Sequence, residues 1–258
     1  MIRLAHLSDL HFGDQPPGLA RALAAAMAHA TPDLVIISGD LTQRARKHQF
    51  LEAKAWLDAL ARPALVVPGN HDLPLLAFWT RLLRPRGLFR SVVTQEQAPC
   101  WRADGLLVRG VDSTRRWRWK SGRLPRKKTR PGKEPLQILV THHPFAGEST
   151  AGIRLPGMPL ADVVLTGHDH HSRVELLGNA SAAAGTLQVV AGTALSRRLR
   201  GEPNSFFLMD AAVDVAAGHA RLTLQRWEHQ DGRFLPAAIQ AFAKRLDEDV
   251  ASWTPLTA

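Results

Sequence analysis

Asp9 with His11, Asp40, Asn70, His142, and His168 with His170 stand at five separate places in the chain, each directly after an apolar run. Carboxylate, amide and imidazole donors without a thiolate form a mixed oxygen and nitrogen set, suited to Mn, Fe, Co or Zn rather than to Cu(I) or an iron-sulfur cluster. The single cysteine, Cys100, excludes an intrachain disulfide and any cysteine-built cluster. In Asp9-x-His11 and His168-x-His170, the alternation of an extended backbone puts both side chains of a pair on one side, where they can reach a metal. A carboxylate such as Asp40 can also bridge two ions.

Such loops need a frame to bring them together. Residues 2–8, 33–38 and 64–67 read as strands, and 19–29 and 49–60 have helical spacing of their apolar positions. This alternation implies a parallel or mixed sheet with helices packed on it, and open α/β sheets bind ligands at the C-terminal ends of their strands. After a helical stretch at 75–83 the chain turns strand-rich, with apolar runs at 106–111, 137–141, 163–166, 187–191, 205–209 and 220–227, so a second sheet is expected. Residues 236–250 have the spacing of an amphipathic helix. No internal repeat is evident, and residues 1–258 read as one domain.

The blocks Asp9-x-His11, Gly39-Asp40, Gly69-Asn70-His71-Asp72, His142-His143-Pro144 and Gly167-His168-x-His170 resemble the signature of the calcineurin-like metallophosphoesterases. The later Ala191-Gly192-Thr193 and Asn204-Ser205-Phe206 are similar to segments of bacterial cyclic-nucleotide phosphodiesterase-like members. The resemblance implies an α/β fold built as a four-layer α/β/β/α sandwich, two mixed sheets flanked by helices. It implies two divalent or mixed-valence ions, Mn, Fe or Zn, one held by Asp9, His11, Asp40 and His170 and the other by Asp40, Asn70, His142 and His168, with Asp40 as the bridge. The implied reaction is hydrolysis of a phosphoester by a hydroxide that bridges the ions, which also neutralise the phosphoryl oxygens.

The leaving alkoxide needs a proton. His71, next to Asn70 but at no ligand position of the family, is the candidate donor, and Asp72 the carboxylate expected to orient it. His143 is the alternative to His142, although the family pattern puts the first histidine of His-His-Pro on the metal. His6, His29, His48, His171, His219 and His229 match no position and read as surface or satisfied core residues. Asp72 at the end of the Asn-His-Asp block resembles the phosphodiesterase form, where protein phosphatases usually have Glu, so a phosphodiester, including a cyclic nucleotide, is the expected substrate. A phosphomonoester, or a nucleotide-linked lipid pyrophosphate, is the alternative. Arg44 and Arg46 do not match the spacing of the phosphatases' phosphate-binding arginine. A metal-free binding scaffold would lack ligands, and none is missing.

The formal charge of +10 belongs to one segment: ten of the 33 basic residues lie in 115–133, without an acid among them, and the remaining 23 balance the 23 acids. A general argument from charge to nucleic acid therefore fails. The segment, a basic insertion at about 114–134, holds two prolines and reads as a loop. Beside the site it would draw in anionic substrates, and Trp117 and Trp119 would stack on bases or lie at a lipid interface, so polyanions or a membrane surface are its expected partners. No apolar run is long enough to span a bilayer. The first motif begins within ten residues of the N-terminus, which leaves no room for a leader and makes the cytoplasm the expected location.

Overall fold

β1 (Ile2–Leu7) and β2 (Leu34–Ile37) are buried along almost their whole length, as continuous apolar runs in parallel strands must be. They pair in parallel with each other, and β2 pairs in parallel with β3 (Ala64–Val66). The computed structural model describes residues 1–75, 77–96, 98–118, 120–124, 132–145, 153, 161–177, 185–247 and 252–256, Phe78 by its backbone alone.

Antiparallel strands extend this first sheet on its other side: β10 (Ser205–Asp214), β11 (His219–Gln230), β12 (Arg233–Arg245) and β13 (Thr254–Leu256), in the order β13-β12-β11-β10-β1-β2-β3. The second sheet has the order β4-β5-β6-β7-β9-β8, from β4 (Cys100–Ala103), β5 (Leu106–Gly110), β6 (Leu136–Val140), β7 (Val163–Thr166), β8 (Arg173–Leu176) and β9 (Leu187–Val190). Its central four strands are parallel, and its two edge strands, β4 and β8, are antiparallel to their neighbours. Both sheets are mixed, as expected.

One apolar cluster joins the facing surfaces of the two sheets, with Leu4, Ile36, Met209 and Leu222 from the first and Val108, Ile138, Leu165 and Val189 from the second. The outer face of the first sheet is covered by α1 (Leu19–Ala30) and α2 (Lys47–Ala59). α1 buries Leu19, Leu23, Ala26, Met27 and Ala30, a stripe of helical period. Two short helices follow, α3 (Phe78–Leu83) and α4 (Gly87–Val92), of which α4 sends Phe89 into the same cluster. Among the described residues the outer face of the second sheet is covered by loop side chains, Leu124, Phe145, Ile153 and Leu177. Among the described residues, the flanking helices of the expected sandwich thus lie on the first sheet.

The expected helix at 236–250 is not formed. Residues 233–245 are strand β12, paired over its length with β11, while 248–250 lie outside the described residues. Asp231 and Gly232, both at positive φ, make the two-residue hairpin turn that starts it. Phe234 and Phe242 are its buried side chains, and the register shifts at Arg226/Trp227, opposite Pro236. A proline cannot donate to the ladder, so a bulge is where a paired strand tolerates one. Of the basic insertion, Trp119 and 125–131 lie outside the described residues, and the described remainder contains no helix or strand, consistent with a loop.

Candidate metal centre

The candidate residues emerge where the parallel strands end. Asp9 follows β1, Asp40 follows β2, Asn70 follows β3, His142 follows β6, and His168 and His170 follow β7. The β1 and β2 loops run side by side, with Asp9 N donating to Gly39 O (3.1 Å) and His11 N to Asp40 O (3.0 Å). Asp9, His11, Asp40, His168 and His170 all have positive φ, between 47° and 73°. That backbone is rare for side-chain-bearing residues and clusters at functional sites. Gly39, at φ 104°, has the His142 ring where a Cβ would stand, 2.5 Å from Nδ1, and a Cβ on Gly167 would overlap the Ser8 hydroxyl. The glycines of both blocks therefore let one loop press against another.

The side chains form two donor sets. In the first, His11 Nε2 is 3.1 Å from His170 Nε2, and Asp9 Oδ1 lies 3.1 Å from His170 Nε2 and 3.5 Å from His11 Nε2. In the second, Asn70 Oδ1 is 3.0 Å from both His142 Nε2 and His168 Nδ1, which are 3.2 Å apart. Asp40 Oδ2 lies between them, 3.8 Å from His11 Nε2 and 3.4 Å from His142 Nε2. Donor atoms on bonds of about 2.1 Å to one ion stand about 3 Å apart, so both sets fit a metal.

The surroundings fix which atoms face inward. His142 Nδ1 donates to Ser38 O (2.8 Å) and His170 Nδ1 to Arg198 O (2.9 Å), leaving each Nε2 lone pair for the centre. Asp9 Oδ1 is buried and accepts no hydrogen bond. Ser8 Oγ holds the other Asp9 oxygen (2.6 Å), and Thr193 Oγ1 holds the Asp9 carbonyl (2.7 Å). These two hydroxyls were not singled out from the sequence, although Ser8 directly precedes one motif block and Thr193 lies in another. The carbonyls of Ser38 and Arg198 carry no side-chain signal at all.

The electrostatics call for positive charge. Burial disfavours an imidazolium at His142, but Asp40 and Asp9 outweigh it and lift the group to about 9. His170 is raised in the same way, chiefly by Asp9 against burial. Burial opposes ionisation of Asp9 and Asp40 too, yet the histidines hold both carboxyls below the usual range. His168 is pushed down to about 4 by burial and by His142, as suits a neutral ligand.

His71 and Asp72 are differently connected than expected. Asp72 accepts four hydrogen bonds, from Leu41 N (3.1 Å), Thr42 N (2.8 Å), Thr42 Oγ1 (3.0 Å) and Gly69 N (2.9 Å). It ties the Asp40 loop to the Asn70 loop instead of orienting His71, because its fully buried carboxylate meets backbone donors on both sides. Burial and Asp40 push its carboxyl up to about 6, against the pull of those N–H groups. His71 is oriented by the Gln43 carbonyl, to which Nδ1 donates (2.9 Å), while its backbone N donates to Asp40 Oδ1 (2.7 Å). Its ring lies edge-on to His11 with centroids 4.8 Å apart, and burial lowers its pKa. His143 is buried behind the centre, with Nδ1 2.9 Å from Ser113 Oγ and its ring 4.7 Å from that of His168.

A pair of mixed sheets with two clustered donor sets at their shared strand ends defines a metallophosphatase-type centre. The chain belongs to the calcineurin-like phosphoesterase family, whose sequence profile matches residues 2–172. It is 35% identical over 80 residues to the glycerophosphodiester phosphodiesterase GpdQ of Enterobacter lignolyticus (strain SCF1), a match covering 27% of this chain and 29% of that protein. In fold it is similar to the purple acid phosphatase PPD1 of yellow lupin (TM-score 0.60, 14% identity, 94% of this chain and 53% of that one). It is also similar to a dimetal phosphatase from Danio rerio (TM-score 0.55, 11% identity, 91% and 98%). The match to the curated relative spans less than a third of that protein's length, and the two solved structures share the fold.

Proposed function

We propose that the chain hydrolyses a phosphodiester at two ions of Mn, Fe or Zn, one on Asp9, His11, Asp40 and His170 and the other on Asp40, Asn70, His142 and His168. The observation that carries this reading is the single Asp40 oxygen standing between two complete donor sets. When bound, such ions supply an activated water for in-line attack and neutralise the phosphoryl oxygens. Asp40 keeps Oδ2 for both sets because its Oδ1 is engaged by His71 N. His71, half-buried at the edge of the centre, protonates the leaving oxygen. With Nδ1 committed to the Gln43 carbonyl, the mobile proton is the one on Nε2, and burial makes that imidazolium a stronger acid than a free one. Preference for a diester is supported by the Asn70-His71-Asp72 block and by the similarity to a glycerophosphodiester phosphodiesterase.

Turnover of bis-p-nitrophenyl phosphate and of p-nitrophenyl phosphate with added Mn, in the wild type, Asp40→Ala and Asn70→Ala, tests the reading. Faster turnover of the diester, lost in both variants, is expected. Preference for the monoester would overturn the diesterase reading, and no turnover with any metal would remove the enzymatic one.

A further inference from the structure

The motifs account for one rim of the centre only in part. Gly122, in the basic insertion, lies against the His143 ring, where an added Cβ would come within 2.7 Å of its Cβ and Cγ. Arg123 N donates to Ser113 O (2.9 Å), and Ser113 holds His143, so the insertion borders the His168 side of the donor sets. α3 is joined to this stretch by Arg81, whose Nε donates to Arg116 O (2.7 Å) and whose Nη1 donates to Pro74 O (3.1 Å).

The two stretches so joined expose both apolar and cationic side chains. Trp79 and Leu83, four residues apart and so on one face of α3, are 71% and 73% exposed; Trp117 is 66% exposed and Leu75 38%. Neither 73–95 nor 113–133 contains an aspartate or glutamate. Arg84, Arg115, Arg116, Arg118 and Lys120 lie close in sequence to the exposed side chains. Large exposed aromatic and aliphatic groups set among cations mark an interaction site. Cations alone would suit any polyanion, and tryptophans alone would suit stacked bases. Leu75 and Leu83 favour the lipid, because aliphatic chains offer bases no π-face to stack on and gain free energy from entering hydrocarbon.

We propose that this rim docks on an anionic lipid bilayer, with Trp79, Leu83 and Trp117 entering the interface and the arginines and Lys120 meeting lipid phosphates. Docking presents the centre to the plane of the headgroups, themselves phosphodiesters. Only that last consequence rests on the proposed activity.

The test is sedimentation of the intact, Mn-loaded protein with vesicles of phosphatidylcholine, alone or mixed with phosphatidylglycerol. Binding to the mixed vesicles only is expected, with the partition coefficient reduced about tenfold in Trp79→Glu/Leu83→Glu and in Trp117→Glu. Turnover of soluble bis-p-nitrophenyl phosphate by these variants should stay at the wild-type value, which separates a lost membrane contact from a lost fold or centre. No preference for phosphatidylglycerol vesicles, or undiminished binding by both variants, overturns the proposal. So does tight binding of a single-stranded oligonucleotide that displaces the vesicles and ignores Leu83→Glu, an outcome that would make the rim a nucleic-acid surface. Because binding is read without catalysis, a failure here leaves the diesterase reading standing, and the reverse also holds.

Discussion

The two sheets bring different chemistry to the same edge. Loops of the first sheet supply Asp9, His11, Asp40 and Asn70, every oxygen donor among the candidate ligands, whereas loops of the second supply only imidazoles, His142, His168 and His170. Each donor set spans the gap. His170 of the second sheet completes the set of Asp9 and His11, and Asn70 of the first sheet completes that of His142 and His168. On the proposed assignment each ion would draw donors from both sheets, so metal affinity and the packing of one sheet on the other would be linked quantities.

The largest effect tests the shared oxygen. Asp40→Ala should lower kcat/KM for bis-p-nitrophenyl phosphate by at least about a thousandfold and reduce bound metal, counted by elemental analysis. Two tightly bound ions in that variant would break the assignment of Asp40 to both sets. Ion binding should next raise the thermal midpoint, since saturation at a thousand times Kd is worth about 4 kcal/mol. His168→Ala from one sheet and Asn70→Ala from the other should each forfeit a similar part of that rise in calorimetry. A rise that survives in one variant would place the ion on a single sheet.

Asp72→Asn should cost about 1–3 kcal/mol in denaturant titration, because four donors lose a charged acceptor. As the tie between two first-sheet loops, it should weaken metal binding along with turnover. An effect on kcat without one on metal content would restore it to a direct role in proton transfer.

The last effect is a pH slope. His6 is fully buried against Ser38 Oγ (2.9 Å), and burial pushes it down to about 3, with Asp9 pulling weakly the other way. The unfolded chain takes up this proton as pH falls through about 6.5 while the folded chain does not, so stability drops between there and about 3, by up to about 1.4 kcal/mol per pH unit. Unfolding titrations at pH 7 and pH 5 should show the drop, and His6→Gln should flatten it; an identical slope in the variant would assign the titration to other groups.

The sequence made the centre far more legible than its supports. Gly39-Asp40 and Gly69-Asn70 could be read because glycine, ligand and strand end are neighbours in the chain. Asp72 was misread because its partners, Leu41 and Thr42, sit on another loop, and sequence proximity favoured His71 instead. The C-terminal strand was missed for a related reason. Ile239, Phe242 and Leu246 fit a helical period, while the ladder that overrides it comes from β11, although Asp231-Gly232 carried the hairpin signal locally. The short edge strands β4 and β8, partly exposed and half polar, offered no apolar run to read.

Five candidate ligands share a left-handed backbone. Aspartate, asparagine and histidine are the side-chain-bearing residues most tolerant of that conformation. The loops therefore narrow the alphabet of usable donors before any cation arrives. Exchanges among Asp, Asn and His would keep the backbone and retune the centre, whereas branched residues would have to distort it. Substitutions that would retune a bound metal are then drawn from a short vocabulary set by torsion angles as much as by coordination chemistry.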